Sequence, residues 1–211
     1  MILVGQYDSP FVRRVAVSLH LLGIAFTRNA ISVFGDAEKM AKITPIVRIP
    51  SLVLDDGTVL VDSGAILDDL DHRVGPERAL TPPGGPDRRK VLQVMAFATG
   101  AVDKAGTIVY ERHLHPPHHV NDDWIARCRG QLDGALAWLE RSLAEPFFLS
   151  DRLTQGDVTT GAMLGYLKLR LPESFPPGRY PALERLSSRL EAMDAFVRSR
   201  PGPDEVMPEN V

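Results

Sequence analysis

Two hydrophobic periodicities alternate over the first 75 or so residues of this chain. The short apolar run at residues 2–6 predicts a buried strand. Apolar positions then repeat at helical spacing from Pro10 to Leu22, and Gly23 is placed to end that helix. Residues 25–32 predict a second strand. Residues 36–43 predict a short helix with Asp36 available as its cap.

A hairpin and a third helix complete this pattern. Residues 50–54 and 58–61 flank Asp55-Asp56-Gly57, which is typical of a tight turn between antiparallel strands. Ser63 could cap a helix that runs to about Val74. The predicted order β-α-β-α-β-β-α places helices over a small mixed sheet. The closing antiparallel hairpin excludes a purely parallel Rossmann half.

The pattern changes after a segment rich in Gly and Pro. Residues 76–86 predict a linker between a first domain at residues 1–75 and a second domain at residues 87–211. No strand pattern follows this linker, so the second domain is predicted to be all-α. Its helices have start signals at Asn121, at the capping box Thr154-Gln155-Gly156-Asp157 and at Pro181.

Composition and charge restrict the classes of partner. Of the 211 residues, 44% are hydrophobic and 24% are charged, as in an ordinary globular protein. The net charge of −3 gives no basic field for nucleic acid, and no apolar run approaches the length of a membrane span. Cys128, the single cysteine, has no partner for an internal disulfide and fits a reducing compartment. We expect a cytoplasmic protein that binds neither nucleic acid nor membrane.

The segment Asp8-Ser9-Pro10-Phe11 follows the first predicted strand. Pro10 suits the first turn of a helix, which places Ser9 at the N-cap. The Ser9 hydroxyl and the first-turn N–H groups would form a site for an anion. Ser9 could equally do no more than cap its helix.

Pro50 stands at the entry to the third predicted strand. A trans bond there would only mark a strand edge. A cis bond between Ile49 and Pro50 would turn the backbone N–H and C=O of Ile49 outward, where an extended peptide could pair with them. Arg48 would then flank that ligand.

A carboxylate and a hydroxyl open the third predicted helix. The Ser63 hydroxyl and the helix N–H groups could bind a carboxylate, while Asp62 could bind an ammonium group. A γ-glutamyl head group presents both. Capping alone would also explain Ser63.

In order and spacing, these three features resemble the thiol, cysteinyl and γ-glutamyl sites of the glutathione S-transferase superfamily. The Ser-Pro-Phe-x-x-Arg start is similar to that of bacterial members, and its Ser-Pro-Phe to that of the plant tau class. The resemblance implies a thioredoxin-like N-terminal domain followed by an all-α domain, with Ser9 as the catalytic residue. It implies that glutathione is bound by the following residues: Phe11, Arg48, Ile49, Pro50, Asp62 and Ser63.

The resemblance also implies a reaction. Glutathione would be the co-substrate and a small hydrophobic electrophile the second substrate, in a homodimeric detoxification enzyme. Relatives with Cys at the position of Ser9 act as thiol oxidoreductases. Because a serine hydroxyl cannot exchange disulfides, we do not expect that activity here. A glutathione-dependent isomerase or dehalogenase and a non-catalytic binding or scaffold protein remain alternatives, because fold does not fix function.

The second-substrate pocket and a histidine cluster are less well defined. In the family this pocket is lined by the first-helix loop and the fourth helix, which suggests Phe11, Phe34, Tyr110 and His113, although these could be core residues. Asp103 could reach a partner subunit's γ-glutamyl amine or be a solvated charge. The spacing of the histidines between His113 and His119 matches no standard zinc pattern, so we expect no metal.

Overall fold

The computed structural model describes residues 1–205 and divides them into two compact units. The first unit holds Met1–Pro83 and also the segment that begins at Ala192. The second unit holds Gly84–Glu191. The division between Pro83 and Gly84 therefore lies within the linker predicted at residues 76–86. The return of the chain to the first unit at Ala192 differs from the predicted second domain at residues 87–211.

The first unit contains a four-stranded mixed sheet of the thioredoxin-like type. The strands lie in the order β2-β1-β3-β4, in which β1 and β2 are parallel and the other pairs are antiparallel. Each strand has only three residues, fewer than the apolar runs predict. The bounds are β1 Ile2–Val4, β2 Thr27–Asn29, β3 Ser51–Val53 and β4 Val59–Val61.

Three helices of the first unit follow the predicted order. Helix α1 spans Pro10–Leu22 as predicted, and Gly23 ends it with a left-handed φ of 69°. Helix α2 is limited to Ala37–Ala41, and its cap position Asp36 makes no side-chain capping bond. Helix α3 spans Ser63–Val74.

One face of α1 forms the centre of the first core. Its apolar side chains are completely buried against Leu3 and Leu52 of the sheet and Ile66 and Leu70 of α3. Burying one such side chain contributes about 1.5–3 kcal/mol, so this contact fixes α1 on the sheet. A smaller core, built from Val4, Ile31 and Met40, is separate from it.

The second unit is all-α, as predicted. Its helices are α4 Gly85–Leu114, α5 Asp122–Ser142, α6 Gln155–Arg170 and α7 Pro181–Glu191. The predicted start signals are confirmed, since Asn121 Oδ1 accepts the Trp124 N–H at 3.0 Å and the box from Thr154 to Asp157 caps α6. Within residues 1–205, no helix combines the length and apolar character that crossing a membrane requires.

The C-terminal segment of the first unit contains the short helix α8, Asp194–Val197. Phe196 is completely buried, and the Ser199 carbonyl accepts a hydrogen bond from Arg13 Nε at 3.0 Å. Glu205 is also buried, with 7% of its surface exposed. These contacts explain why the segment belongs to the first unit, and they depend on tertiary partners that its own sequence does not reveal.

Candidate functional site

The N-terminus of α1 presents Ser9. Gly5, directly after β1, has a φ of 133°, and a Cβ there would lie 2.5 Å from Cγ2 of Val12, so only glycine fits. The chain then reaches Ser9, which has extended backbone angles and whose Oγ accepts the Val12 N–H at 3.4 Å. Pro10 occupies the first turn. The predicted N-cap position of Ser9 is confirmed.

The entry to β3 brings a short exposed loop beside this helix. The Ile49–Pro50 peptide bond is cis. Pro50 is buried and Arg48 is exposed. The hydroxyl of Ser51, the first residue of β3, donates a hydrogen bond to the Arg48 carbonyl at 3.3 Å, which ties the loop to the sheet.

At the N-terminus of α3 the cap is Asp62, so the prediction that Ser63 is the cap is wrong. Asp62 has a positive φ of 72°, and its Oδ1 accepts the Gly64 N–H at 2.7 Å. Ser63 is the first residue of the helix and only 2% exposed. Aspartate and serine are both favourable N-cap residues, so the sequence alone could not show which of these two adjacent residues caps α3. Asp62 itself is exposed.

A buried arginine lies behind Ser63. Arg14 is 5% exposed, and one of its terminal nitrogens donates a hydrogen bond of 2.6 Å to Ser63 Oγ. Its guanidinium carbon lies 5.6 Å from the centre of the Phe11 ring. Arg14 was not among the residues predicted to form the site. The sequence did contain a signal for it, because Arg14 is the last residue of the Ser-Pro-Phe-x-x-Arg motif and lies on the buried face of α1.

These elements open onto one cleft in the first unit. Its lining includes all six residues predicted to bind the peptide and one further residue, Ile46. The lining residues are Phe11, Ile46, Arg48, Ile49, Pro50, Asp62 and Ser63. Ser9 is not among them, although it precedes Phe11 by only two residues at the start of the same helix.

The residues predicted for a second-substrate pocket are divided between the two units. Phe34, in the first unit, is partly buried. Tyr110 and His113 lie on exposed positions of α4 in the second unit, as does Asp103, which was predicted to reach a partner subunit's γ-glutamyl amine or to be a solvated charge. His113 Nδ1 lies 2.8 Å from the Val109 carbonyl oxygen. Their part in binding a substrate stays a prediction.

The histidines that follow α4 form local contacts. His115 Nδ1 lies 3.4 Å from Glu111 Oε1, and the rings of His118 and His119 meet edge to face at 4.2 Å. Across residues 1–205 no group of three or more His, Cys, Asp or Glu side chains is arranged to hold a metal ion.

Comparison with known families agrees with this fold. A model of the glutathione S-transferase N-terminal domain matches residues 3–78, and one of the C-terminal domain matches residues 122–189. The chain belongs to the glutathione S-transferase family. This superfamily assignment confirms the resemblance derived from the sequence.

Solved structures of bacterial family members are similar over 95% or more of the chain. A glutathione S-transferase of Methylobacterium radiotolerans, in complex with glutathione sulfonate, is 29% identical with a TM-score of 0.91 and covers 100% of this chain and 99% of its own. A family member from Pseudomonas fluorescens Pf-5 with bound glutathione is 30% identical with a TM-score of 0.85, covering 95% and 98%.

Two curated relatives carry less specific or different names. An uncharacterised GST-like protein of Escherichia coli K12, YibF, is 27% identical over 95% of this chain and 98% of its own length. A probable maleylacetoacetate isomerase of Drosophila melanogaster is 24% identical over 95% of this chain and 81% of its own length.

Proposed function

We propose that this protein binds glutathione in the cleft of its first unit and uses Ser9 to activate the thiol for attack on a small hydrophobic electrophile. One observation carries the proposal: residues from α1, the β3 entry and α3, predicted separately, line a single cleft. Two similar bacterial proteins hold glutathione or its sulfonate in their structures, which supports the ligand class.

The γ-glutamyl end would lie at the start of α3. Ser63 Oγ accepts a bond from Arg14, so the hydroxyl keeps its own hydrogen to donate to the ligand carboxylate. The buried guanidinium adds positive charge behind that hydroxyl. The exposed carboxylate of Asp62 would pair with the ammonium group of the same head group.

The cysteinyl part would pair with the Ile49 backbone as an added strand, beside Pro50, with Arg48 flanking it. This pairing would direct the thiol towards the N-terminus of α1. There Ser9 Oγ accepts from the Val12 N–H and likewise retains its hydrogen to donate.

Two contributions are sufficient to activate the thiol. A free cysteine thiol has a pKa of about 8.5, so little of it is thiolate at neutral pH. Lowering that pKa by about two units requires about 2.7 kcal/mol of preference for the thiolate. A charge-assisted hydrogen bond from Ser9 contributes about 1.5–3 kcal/mol, and the helix N-terminus adds about 0.3–1 kcal/mol. Ser9 therefore acts as a donor to the ligand's thiolate and not as a nucleophile.

A Ser9→Ala variant tests this role. Calorimetry should show glutathione binding by both proteins, while ultraviolet titration of the bound thiolate should show a pKa about one to two units higher in the variant. Conjugation of an aryl halide at neutral pH should slow by about threefold to twenty-fivefold, in proportion to the lost thiolate. Ser188→Ala, at an exposed position of α7, is the control. No binding at millimolar glutathione by the wild type would leave only the scaffold alternative.

An isomerase is the second candidate, supported by the name of the Drosophila relative. Both reactions begin with thiolate attack, but conjugation consumes glutathione, whereas isomerisation releases it after the substrate has rearranged. Measuring glutathione loss against product formed separates them. A ratio near one indicates a transferase. A ratio near zero indicates an isomerase. A reductive dehalogenase would instead yield oxidised glutathione.

We also propose a homodimer in the cytoplasm that serves in detoxification, as the family resemblance implies. Cys128 is a buried free thiol, which is compatible with a reducing compartment. Light scattering coupled to gel filtration should give twice the 23.2 kDa mass of one chain. Cell fractionation tests the compartment.

A further inference from the structure

Glu205 is a buried carboxylate with three partners. Its Oε2 accepts the Tyr7 N–H at 3.2 Å and the Gly202 N–H at 3.1 Å. Its Oε1 forms an ion pair with Arg28 of β2. Only 7% of the residue is exposed. A carboxylate this deeply buried is retained at a considerable desolvation cost, which these three partners offset.

Arg28 contacts both Glu205 and the ring of Tyr7. Its guanidinium carbon lies 3.4 Å from the centre of the Tyr7 ring, so the cation stacks on the ring while it pairs with Glu205. Tyr7 is itself 5% exposed. We call Tyr7, Arg28 and Glu205 the Glu205 clasp.

The Glu205 clasp holds the loop that leads to Ser9. Gly5 N–H bonds to the Asn29 carbonyl at 2.9 Å, which attaches the start of the loop to β2. The Ser9 N–H bonds to the Gln6 carbonyl at 3.3 Å, which closes the loop at its end. Tyr7 lies between these points, and its N–H is bound by a carboxylate about 200 residues later in the chain.

We propose that Glu205 is a positioning residue, which sets the orientation of Ser9 by fixing the Tyr7 backbone, and that the segment from Ala192 to Glu205 is thereby part of the thiol-activating apparatus. The inference rests on the proposed function of Ser9. It goes beyond it because Glu205 lies outside the cleft lining and comes from the opposite end of the chain.

Glu205→Gln is the informative variant. One Glu205 oxygen faces Arg28 and the other faces two backbone N–H groups, so an amide must turn its NH₂ group against donors on one side. Glutamine has nearly the volume of glutamate, but it loses the bond to at least one of the groups that Glu205 binds. Asp204→Asn makes the same chemical change at the adjacent, exposed position and is the matched control.

The first readout does not involve glutathione. Hydrogen exchange measured by mass spectrometry should rise by about tenfold in peptides covering residues 6–9 of Glu205→Gln, because the loop opens more often. It should be unchanged there in Asp204→Asn. Unchanged exchange in Glu205→Gln would overturn the proposal, whatever the protein does with glutathione.

The second readout is catalytic. The thiol pKa of bound glutathione should rise by about one unit in Glu205→Gln, with kcat at neutral pH about threefold lower and KM within about twofold. A purely structural role would lower the melting temperature and leave that pKa unchanged, which would contradict the proposal. If the wild type binds no glutathione, the proposed function fails, while the exchange measurement still decides whether the clasp holds the loop.

A second variant covers the case in which Glu205→Gln does not fold. Glu205→Asp keeps the negative charge, which the long Arg28 side chain can still reach. The shorter side chain withdraws the carboxylate from the Tyr7 N–H by one methylene. The same increase in exchange over residues 6–9 and the same rise in the thiol pKa are expected. Wild-type values for both would overturn the proposal.

Discussion

Ser9 and Ser63 share one hydrogen-bonding arrangement. Each hydroxyl oxygen accepts a bond from the protein, Ser9 from the Val12 N–H and Ser63 from Arg14. Each therefore keeps a hydrogen that can be donated to a negatively charged part of a ligand. The two donors would serve two of the anionic groups of glutathione, its thiolate and its γ-glutamyl carboxylate.

Replacing Arg14 with Met tests the carboxylate end. We expect glutathione to bind about tenfold more weakly, corresponding to about 1.4 kcal/mol, because the charge behind Ser63 is lost. The loss should be much smaller for a glutathione analogue amidated at the γ-glutamyl carboxylate. Calorimetry measures both, with Arg73→Met, at an exposed position of α3, as control. Equal losses for the two ligands would show that Arg14 acts only on the fold.

At the scale of elements, the capping box at the start of α6 forms a buried hydrogen-bond network. Asp157 is fully buried, and its two oxygens accept from the Phe148 N–H at 2.9 Å, the Thr154 N–H at 2.8 Å and the Thr154 hydroxyl at 2.7 Å. Burial raises the pKa of Asp157, and these donors oppose that rise. Next to it, a Cβ on Gly156 would lie 3.0 Å from Cγ1 of Val94, so α4 and α6 approach closely here.

Asp157→Asn should destabilise the protein strongly. The NH₂ group of asparagine would face a buried backbone N–H, and an unsatisfied buried donor costs about 1–3 kcal/mol. Urea unfolding should show a loss in this range, against almost none for Asp151→Asn, where the aspartate is exposed. A loss below about 0.5 kcal/mol would mean that the box contributes little to stability.

Element types were predictable here, but their lengths were not. Helix α1 has the predicted bounds because a proline, a helical apolar face and a glycine mark it locally. The strands are shorter than the apolar runs, since pairing ends where the backbone turns away, as at Gly5 after β1. Such a turn depends on the approach of Val12 from the next helix.

At the scale of the whole molecule, His20 couples α1 to the C-terminal segment. Burial and the nearby Arg198 lower the pKa of His20 below its ordinary value of 6.5, while Asp194 opposes the shift. The unfolded chain therefore takes up the proton more readily than the folded one. The stability that comes from neutral His20 is present above about pH 6.5 and is lost as the pH falls below that value.

Replacing His20 with Gln should reduce the loss of folding stability at acid pH. The free energy of unfolding, measured in urea between about pH 7.5 and 5, should fall less steeply in the variant than in the wild type, because glutamine takes up no proton. His72→Gln, on an exposed position of α3, should keep the wild-type slope. Identical slopes for all three proteins would show that His20 does not control this loss.

The sequence by itself determined the two-part architecture, the family and the three motifs of the cleft. These depend on periodicity and on start signals such as Ser9-Pro10, which act over a few neighbouring residues. Tertiary structure alone decided which neighbour caps α3, that Arg14 supports Ser63, and that Glu205 returns to the loop before Ser9. The first depends on the burial of Ser63, and the other two depend on partners 49 and 198 residues away, so no local pattern carries that information.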